Sequence, residues 1–154
     1  RAKLPSGVGT WPAIWMLNSE IDSIGWPYCG EIDIMEHVGF EPNKVYFSIH
    51  NTNLFGNVHG STQQGVYELN NLETSFHNYA IEWGKDFIKG YIDGTLYFNY
   101  LKSSNSFNDW PYDNPFFLII NLAIGGEWGG IQGIDNSIFP ASFVIDYVRL
   151  YEKE

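Results

Sequence analysis

The hydrophobic positions of this chain come in short runs that mostly alternate with polar ones, punctuated by Gly, Pro, Asn and Asp. Arg1-Ala2-Lys3-Leu4-Pro5 reads as the end of a strand, and the first full run, Trp11 to Leu17, follows a Gly7-Val8-Gly9 break. Asn18 to Tyr28 reads as an irregular loop with Gly25 and Pro27 as breakers. Glu31 to Glu36 alternates acid and aliphatic, Gly39 to Asn43 turns the chain, and Val45 to His50 alternates again. Asn51 to Gly65 is polar and glycine-rich, a long loop expected to line a cleft or shield a sheet edge. Tyr79 to Trp83 and Phe87 to Ile92 flank a Gly84-Lys85-Asp86 turn, and Asp93-Gly94 before Thr95 to Tyr100 is a strong two-residue hairpin signal. Lys102 to Trp110 is polar and reads as a loop. Phe116 to Ile124 is apolar on both alternations, which predicts a strand buried on both faces. Gly125 to Gly133 holds five glycines around Trp128, a flexible loop presenting one aromatic, and Phe143 to Tyr151 alternates as a closing strand.

Sixteen glycines, only five alanines and many β-branched or aromatic residues disfavour helix. Short strands at turn-limited spacing predict an all-β sandwich or jelly roll, and 154 residues suggest one domain. No repeat, linker or low-complexity segment interrupts it. The net charge of −10 argues against nucleic acid and anionic membranes, both of which select Lys and Arg, and leans against sulfated polysaccharides. No apolar run is long enough to span a bilayer as a helix, so no membrane insertion is expected. The 18% aromatic content fits a protein that stacks on sugar faces, although large β cores also use aromatics. Cys29 is the only cysteine; it cannot form an internal disulfide and reads as a small buried hydrophobe.

The stretch that carries chemistry is Gly30-Glu31-Ile32-Asp33-Ile34-Met35-Glu36. Strict alternation puts Glu31 and Asp33 on one face but Met35, not Glu36, beside them. One extra residue, a β-bulge at Ile34-Met35, would return Glu36 to that face. Crowded like charges push carboxyl pKa values apart, leaving one group ionised while another holds a proton. Glycosidic bond cleavage uses such a pair. A solvated strand face or a calcium site would use the same residues.

The motif Glu31-Ile32-Asp33-Ile34-Met35-Glu36 resembles the active-site strand of glycoside hydrolase family 16, and specifically its laminarinase-like members, which carry the extra residue before the last Glu. Other stretches match the family in order: Arg1 to Pro5, Trp11 to Met16, Trp26-Pro27, Phe76 to Trp83, Tyr91 to Gly94, Phe116 to Gly126 with Trp128, Phe139-Pro140, and Ile145 to Tyr151. The resemblance covers nearly the whole chain.

It narrows the all-β fold to a jelly-roll sandwich, and it implies a retaining endo-hydrolase of β-1,3-glucan with Glu31 as nucleophile, Glu36 as acid/base and Asp33 assisting between them. On a flat strand, Glu31 and Glu36 would have Cα atoms about 13 Å apart, so their side chains must converge to the ~5–5.5 Å of a retaining pair. Trp11, Trp15 and Trp128 are candidate sugar platforms, with core packing as the alternative for the first two. His50 and Asn121 are candidates for the cleft; His37 reads as structural, and His59 and His77 carry no assigned role. No cofactor is expected for catalysis. The resemblance makes Asp146 a candidate ligand of a structural calcium ion. It also implies a secreted or cell-surface location and a β-glucan partner. Mixed-linkage glucan, agar and carrageenan are alternative substrates, and glucan binding without catalysis is the rival class. Finally, sandwiches of this family are longer than this chain. We therefore expect a domain lacking its N-terminal strands, which either belong to a longer chain, come from a second chain or fragment that completes the sandwich, or are lost at a cost in stability.

Overall fold

The structure, a computed structural model, describes residues 1–53 and 63–152. Residues 54–62, most of the expected Asn51 to Gly65 loop and His59 with it, lie outside the described residues. The strands are β1 (Ala2–Lys3), β2 (Thr10–Asn18), β3 (Glu31–Glu36), β4 (Lys44–His50), β5 (Gln63–Glu68), β6 (Tyr79–Gly84), β7 (Phe87–Ile92), β8 (Thr95–Leu101), β9 (Phe116–Ile124) and β10 (Val144–Ile145). One antiparallel sheet runs β5-β4-β3-β2-β9, a second runs β6-β7-β8, and β1 pairs with β10.

The two larger sheets pack face to face as the predicted all-β sandwich. Ile32, Ile34, Phe47 and Ile49 of β3 and β4 meet Ile88 of β7 and Phe98 of β8. Phe47 stacks on Phe98 with ring centroids 4.5 Å apart. Gly90 on β7 makes that approach possible: a Cβ there would lie 2.3 Å from Phe47 Cδ2. The Asp93-Gly94 hairpin joins β7 to β8 with both residues at positive φ, 47° and 82°. That is the backbone a two-residue turn of matching twist requires.

Several expectations change. The Asn18 to Tyr28 loop contains a short helix, α1 (Ile21–Ile24), followed by turns. Gln63 to Gly65, expected as the tail of a loop, instead begin the strand Gln63–Glu68, because β4 offers it a continuous ladder from Ile49↔Gln63 to Lys44↔Glu68. β9 is not buried on both faces: Phe117, Leu118 and Ile120 are each more than a third exposed. The reason is topological, since among the described residues β9 pairs only with β2. An open apolar trough lies between β9 and β6, lined by Ile14, Ile34, Tyr79, Ile81, Leu118 and Ile120. The closing strand is likewise cut short to Val144–Ile145. Past Asp146, whose amide bonds Arg1, the backbone finds no described ladder, and Leu150 is 97% exposed.

Candidate active site

The extra residue expected in β3 is present. Against β4, Asp33 faces Ser48 and Glu36 faces Tyr46, so three steps on β3 match two on β4. Against β2, Trp15 faces Asp33 and Ile14 faces Met35, so Ile34 is passed over. The bulge turns Glu36 to the side of Glu31 and Asp33, and all three line one cavity of about 250 Å³. Ile32, Ile34 and Met35 are left to the interior, where all are buried. The three acids face His50, Ser48 and Tyr46 on β4 in register.

On β2, Trp11, Ala13 and Trp15 line the same cavity, as same-face spacing predicts, and Asn121 and Ala123 of β9 complete the wall. Trp15 Nε1 donates to Asn121 Oδ1 at 2.7 Å, which satisfies the one polar residue of β9. Trp11 Nε1 donates to Glu36 Oε1 at 3.1 Å. His50 Nε2 lies 2.9 Å from Asp33 Oδ2 and 3.6 Å from Glu31 Oε1. Glu31 is hydrogen-bonded to Asp33 and receives a bond from Trp26. Trp26, to which the sequence assigns no site role, joins the cleft here, its ring 5.9 Å from that of His50.

A second, wider cavity of about 590 Å³ continues from the first past Glu31 and Glu36, bounded by Tyr46, Gln64, Glu127 and Trp128. Trp128 meets Trp11 edge-on at 5.7 Å and Tyr46 at 4.9 Å. The loop that carries it is packed rather than loose. Gly130 N bonds Gly126 O, and a Cβ on Gly129 would stand 2.8 Å from Trp11 Cβ. Its glycines allow close approach, not freedom. Tyr46 and Ser48 could have been found from sequence, since they share a strand face with His50 at spacing two. Gln64 and Glu127 gave no signal, because nothing local says which strand or loop rims the cleft.

The electrostatics follow from putting three acids in a partly dry cleft. Burial first, then the Asp33 charge, pushes Glu31 up to about 8. Burial and Glu36 hold Asp33 well above the carboxylate range. Burial raises Glu36 too, opposed by the Trp11 N–H, His50 and Ser48. Burial lowers His50, outweighing its carboxylate neighbours. The Glu31–Asp33 pair therefore retains a proton at neutral pH, because a hydrogen bond between two carboxyl groups needs one. The two groups share that proton, and only when it sits on Asp33 is Glu31 the anion.

Glu31, Asp33 and His50 place ligand atoms within 4.8 Å of one another, the one such cluster among the described residues. Asp146 is not in it: its Oδ2 pairs with Arg1 at 2.5 Å on the β1–β10 side of the molecule. His37 is fully buried away from the cleft against Lys44 O and Glu73, and His77 pairs with Asp93 at 2.6 Å. Cys29 is buried and free.

Comparison with known proteins gives concordant relatives. The model of glycosyl hydrolases family 16 matches residues 1–149. A beta-glucanase of Rhodothermus marinus is 46% identical over 98% of this chain and 55% of its own length. A keratan-sulfate endo-1,4-beta-galactosidase of Sphingobacterium multivorum is 40% identical over 99% of this chain and 35% of its own. The crystal structure of a laminarinase from Flavobacterium sp. UMI-01 superposes with a TM-score of 0.85 at 46% identity, covering 92% of this chain and 60% of that one. The chain thus spans between about a third and three-fifths of the length of these relatives.

Proposed function

We propose, for a chain that belongs to glycosyl hydrolases family 16, retaining endo-hydrolysis of β-1,3-glucan. The observation that carries the reading is the bulge that gathers Glu31, Asp33 and Glu36 on one face of one cavity. Glu31 attacks the anomeric carbon while Glu36 gives its proton to the glycosidic oxygen. Glu36 then takes a proton from water, which releases the sugar from Glu31. Asp33 holds the proton that leaves Glu31 ionised, and His50 orients Asp33 through their 2.9 Å contact. Trp11, Trp15 and Trp128 offer ring faces to sugar, and Asn121 fixes Trp15 by its hydrogen bond. A polymeric substrate of this kind is met outside the cell, so the reading includes a secreted or cell-surface location.

β-1,3-Glucan is favoured over sulfated galactan by charge. Neither cavity is lined by a Lys or Arg among the described residues, and the chain carries −10 overall. Proton NMR of the first product from laminarin tests the mechanism: the β-anomer is expected before mutarotation, and initial α-anomer defeats it. A panel of laminarin, mixed-linkage glucan and keratan sulfate tests the substrate, and preferential cleavage of the last would replace β-1,3-glucan in this reading.

The reading extends to the trough between β9 and β6. In the working enzyme its apolar lining is covered by strands from outside these residues, supplied by a longer chain or a second fragment. Supporting this are the exposed Leu118 and Ile120 and the half-length match to relatives. The 154-residue chain should therefore bind a hydrophobic dye such as ANS. Cooperative unfolding without dye binding would refute the extension.

A further inference from the structure

We infer that Trp11 is a positioning residue for Glu36, and that the Gly125 to Gly133 loop, through Trp128, holds Trp11 in that position. The inference rests on the reading of Glu36 as acid/base and assigns Trp11 a task beyond offering a ring to sugar.

The geometry is specific. Trp11 sits on β2, paired to Ala123 on one side, with its indole N–H directed at Glu36 Oε1 across 3.1 Å. Three neighbours limit its motion. Trp128 closes one edge at 5.7 Å, with ring planes 76° apart. Gly129 lies so close that a Cβ would stand 2.8 Å from Trp11 Cβ, and one on Gly126 would stand 3.3 Å from Trp11 Cζ3. Trp128 is itself braced by Tyr46, the β4 residue in register with Glu36. Tyr46 in turn is tied by its hydroxyl to Glu41 Oε2 at 2.5 Å.

The chemistry follows from where charge develops. When Glu36 gives up its proton, a carboxylate forms in a cleft already crowded with acids. Glu31 and Asp33 share its strand face on β3 and disfavour the anion, and Glu127 borders the adjoining cavity. His50 and Ser48 face it from β4, and Tyr46 stands in register with it. With no Lys or Arg in either cavity lining among the described residues, fixed N–H and O–H dipoles must stabilise the new charge. The Trp11 N–H is aimed at it in advance, so it stabilises the product of proton transfer without reorganising. A hydroxyl can rotate away; an indole clamped between a loop and a sheet cannot. A Cβ at Gly126 would press on the ring, and one at Gly129 would press on Trp11 Cβ and on Gly125 O, 2.6 Å away, so two of the loop's glycines are needed where they lie against Trp11.

The test is the pH profile of kcat/KM on laminarin for Trp11→Phe, Gly129→Ala and Trp128→Leu. Trp11→Phe keeps a ring and removes the donor, so the Glu36 anion becomes less favoured. The basic limb should move up by roughly one pH unit, the usual worth of a hydrogen bond to a charge. Activity on an aryl glycoside whose leaving group needs no proton should fall less than activity on laminarin. Gly129→Ala and Trp128→Leu leave the donor in place but free or displace it, and should move the limb the same way by a smaller amount. Lost activity with an unmoved basic limb would reduce Trp11 to a sugar platform and overturn the inference. Should Trp11→Phe not fold, an unmoved limb in both loop variants does the same. Full activity of Glu36→Gln on laminarin would instead remove the acid/base reading, which is a separate failure.

Discussion

The two faces of β3 are built to opposite ends. The inner face, Ile32 and Ile34, lies in a core with Phe47, Ile49, Ile88 and Phe98, and every one of those side chains is buried. The outer face, one residue away along the same backbone, carries three acids into a partly dry cleft instead, with Asp33 buried and His50 of β4 set against Asp33 and Glu31. The inner face lowers the free energy of the fold at any pH. The outer face raises it, because desolvated carboxyl groups must either stay protonated or repel one another. A single strand can carry both because pleating separates them completely, and because the bulge moves Glu36 outward without moving Ile32 or Ile34.

That contrast can be broken from either side. The largest effect belongs to the outer face: Glu31→Ala should cut laminarin hydrolysis by several orders of magnitude while far-UV circular dichroism stays that of the parent. Activity within about tenfold of the parent would exclude Glu31 as nucleophile. Next comes the inner face. Phe47→Ala removes a fully buried ring stacked on Phe98 and should cost about 3–5 kcal/mol in denaturant unfolding. Its loss of activity should track only the loss of folded protein.

A smaller effect sharpens the comparison, because its sign is opposite. As one half of a pair that shares a proton with Asp33, Glu31 is pushed up to about 8 from 4.5 ordinarily. Between those values the folded chain binds more protons than the unfolded chain, so stability falls as pH rises through that window and levels off above it. Glu31→Gln removes the cost. Its melting temperature should exceed the parent's by several degrees at pH 8 and by little at pH 4.5. Equal shifts at both pH values would show that Glu31 is not the source. The smallest effect belongs to the exposed rim, where Lys44 pairs with Glu41 at 2.7 Å. Lys44→Gln should leave melting temperature and activity within measurement error, as solvent-screened pairs do.

The predicted bulge illustrates what could be read locally. Three acids and their apolar spacers admit one register that puts all acids outward, and the observed pairing has it. The shared face of Trp11 and Trp15 was legible for the same reason, as was the Asp93-Gly94 hairpin. β5 was not, because Gln63-Gln64-Gly65 has no apolar alternation of its own; it is a strand only because the edge of β4 offers it hydrogen bonds. β9 reads as doubly buried because Phe116 to Ile124 is apolar on both alternations, yet burial depends on what lies opposite, and one side of it is open. The glycines around Trp128 suggest freedom, yet they serve contact with Trp11.

The sequence by itself determined the all-β class, the hairpin, the bulge and the acids that share a face. Those depend on backbone sterics and on a side-chain period of two, which act over a few residues. Only the tertiary structure decided that Trp11 donates to Glu36, that His50 meets Asp33, that Trp15 meets Asn121, and that Trp128 braces the corner. Each of these joins residues on different strands or loops. A hydrogen bond or ring contact acts over a few ångströms, so it exists only once strand register and sheet order have brought its partners together.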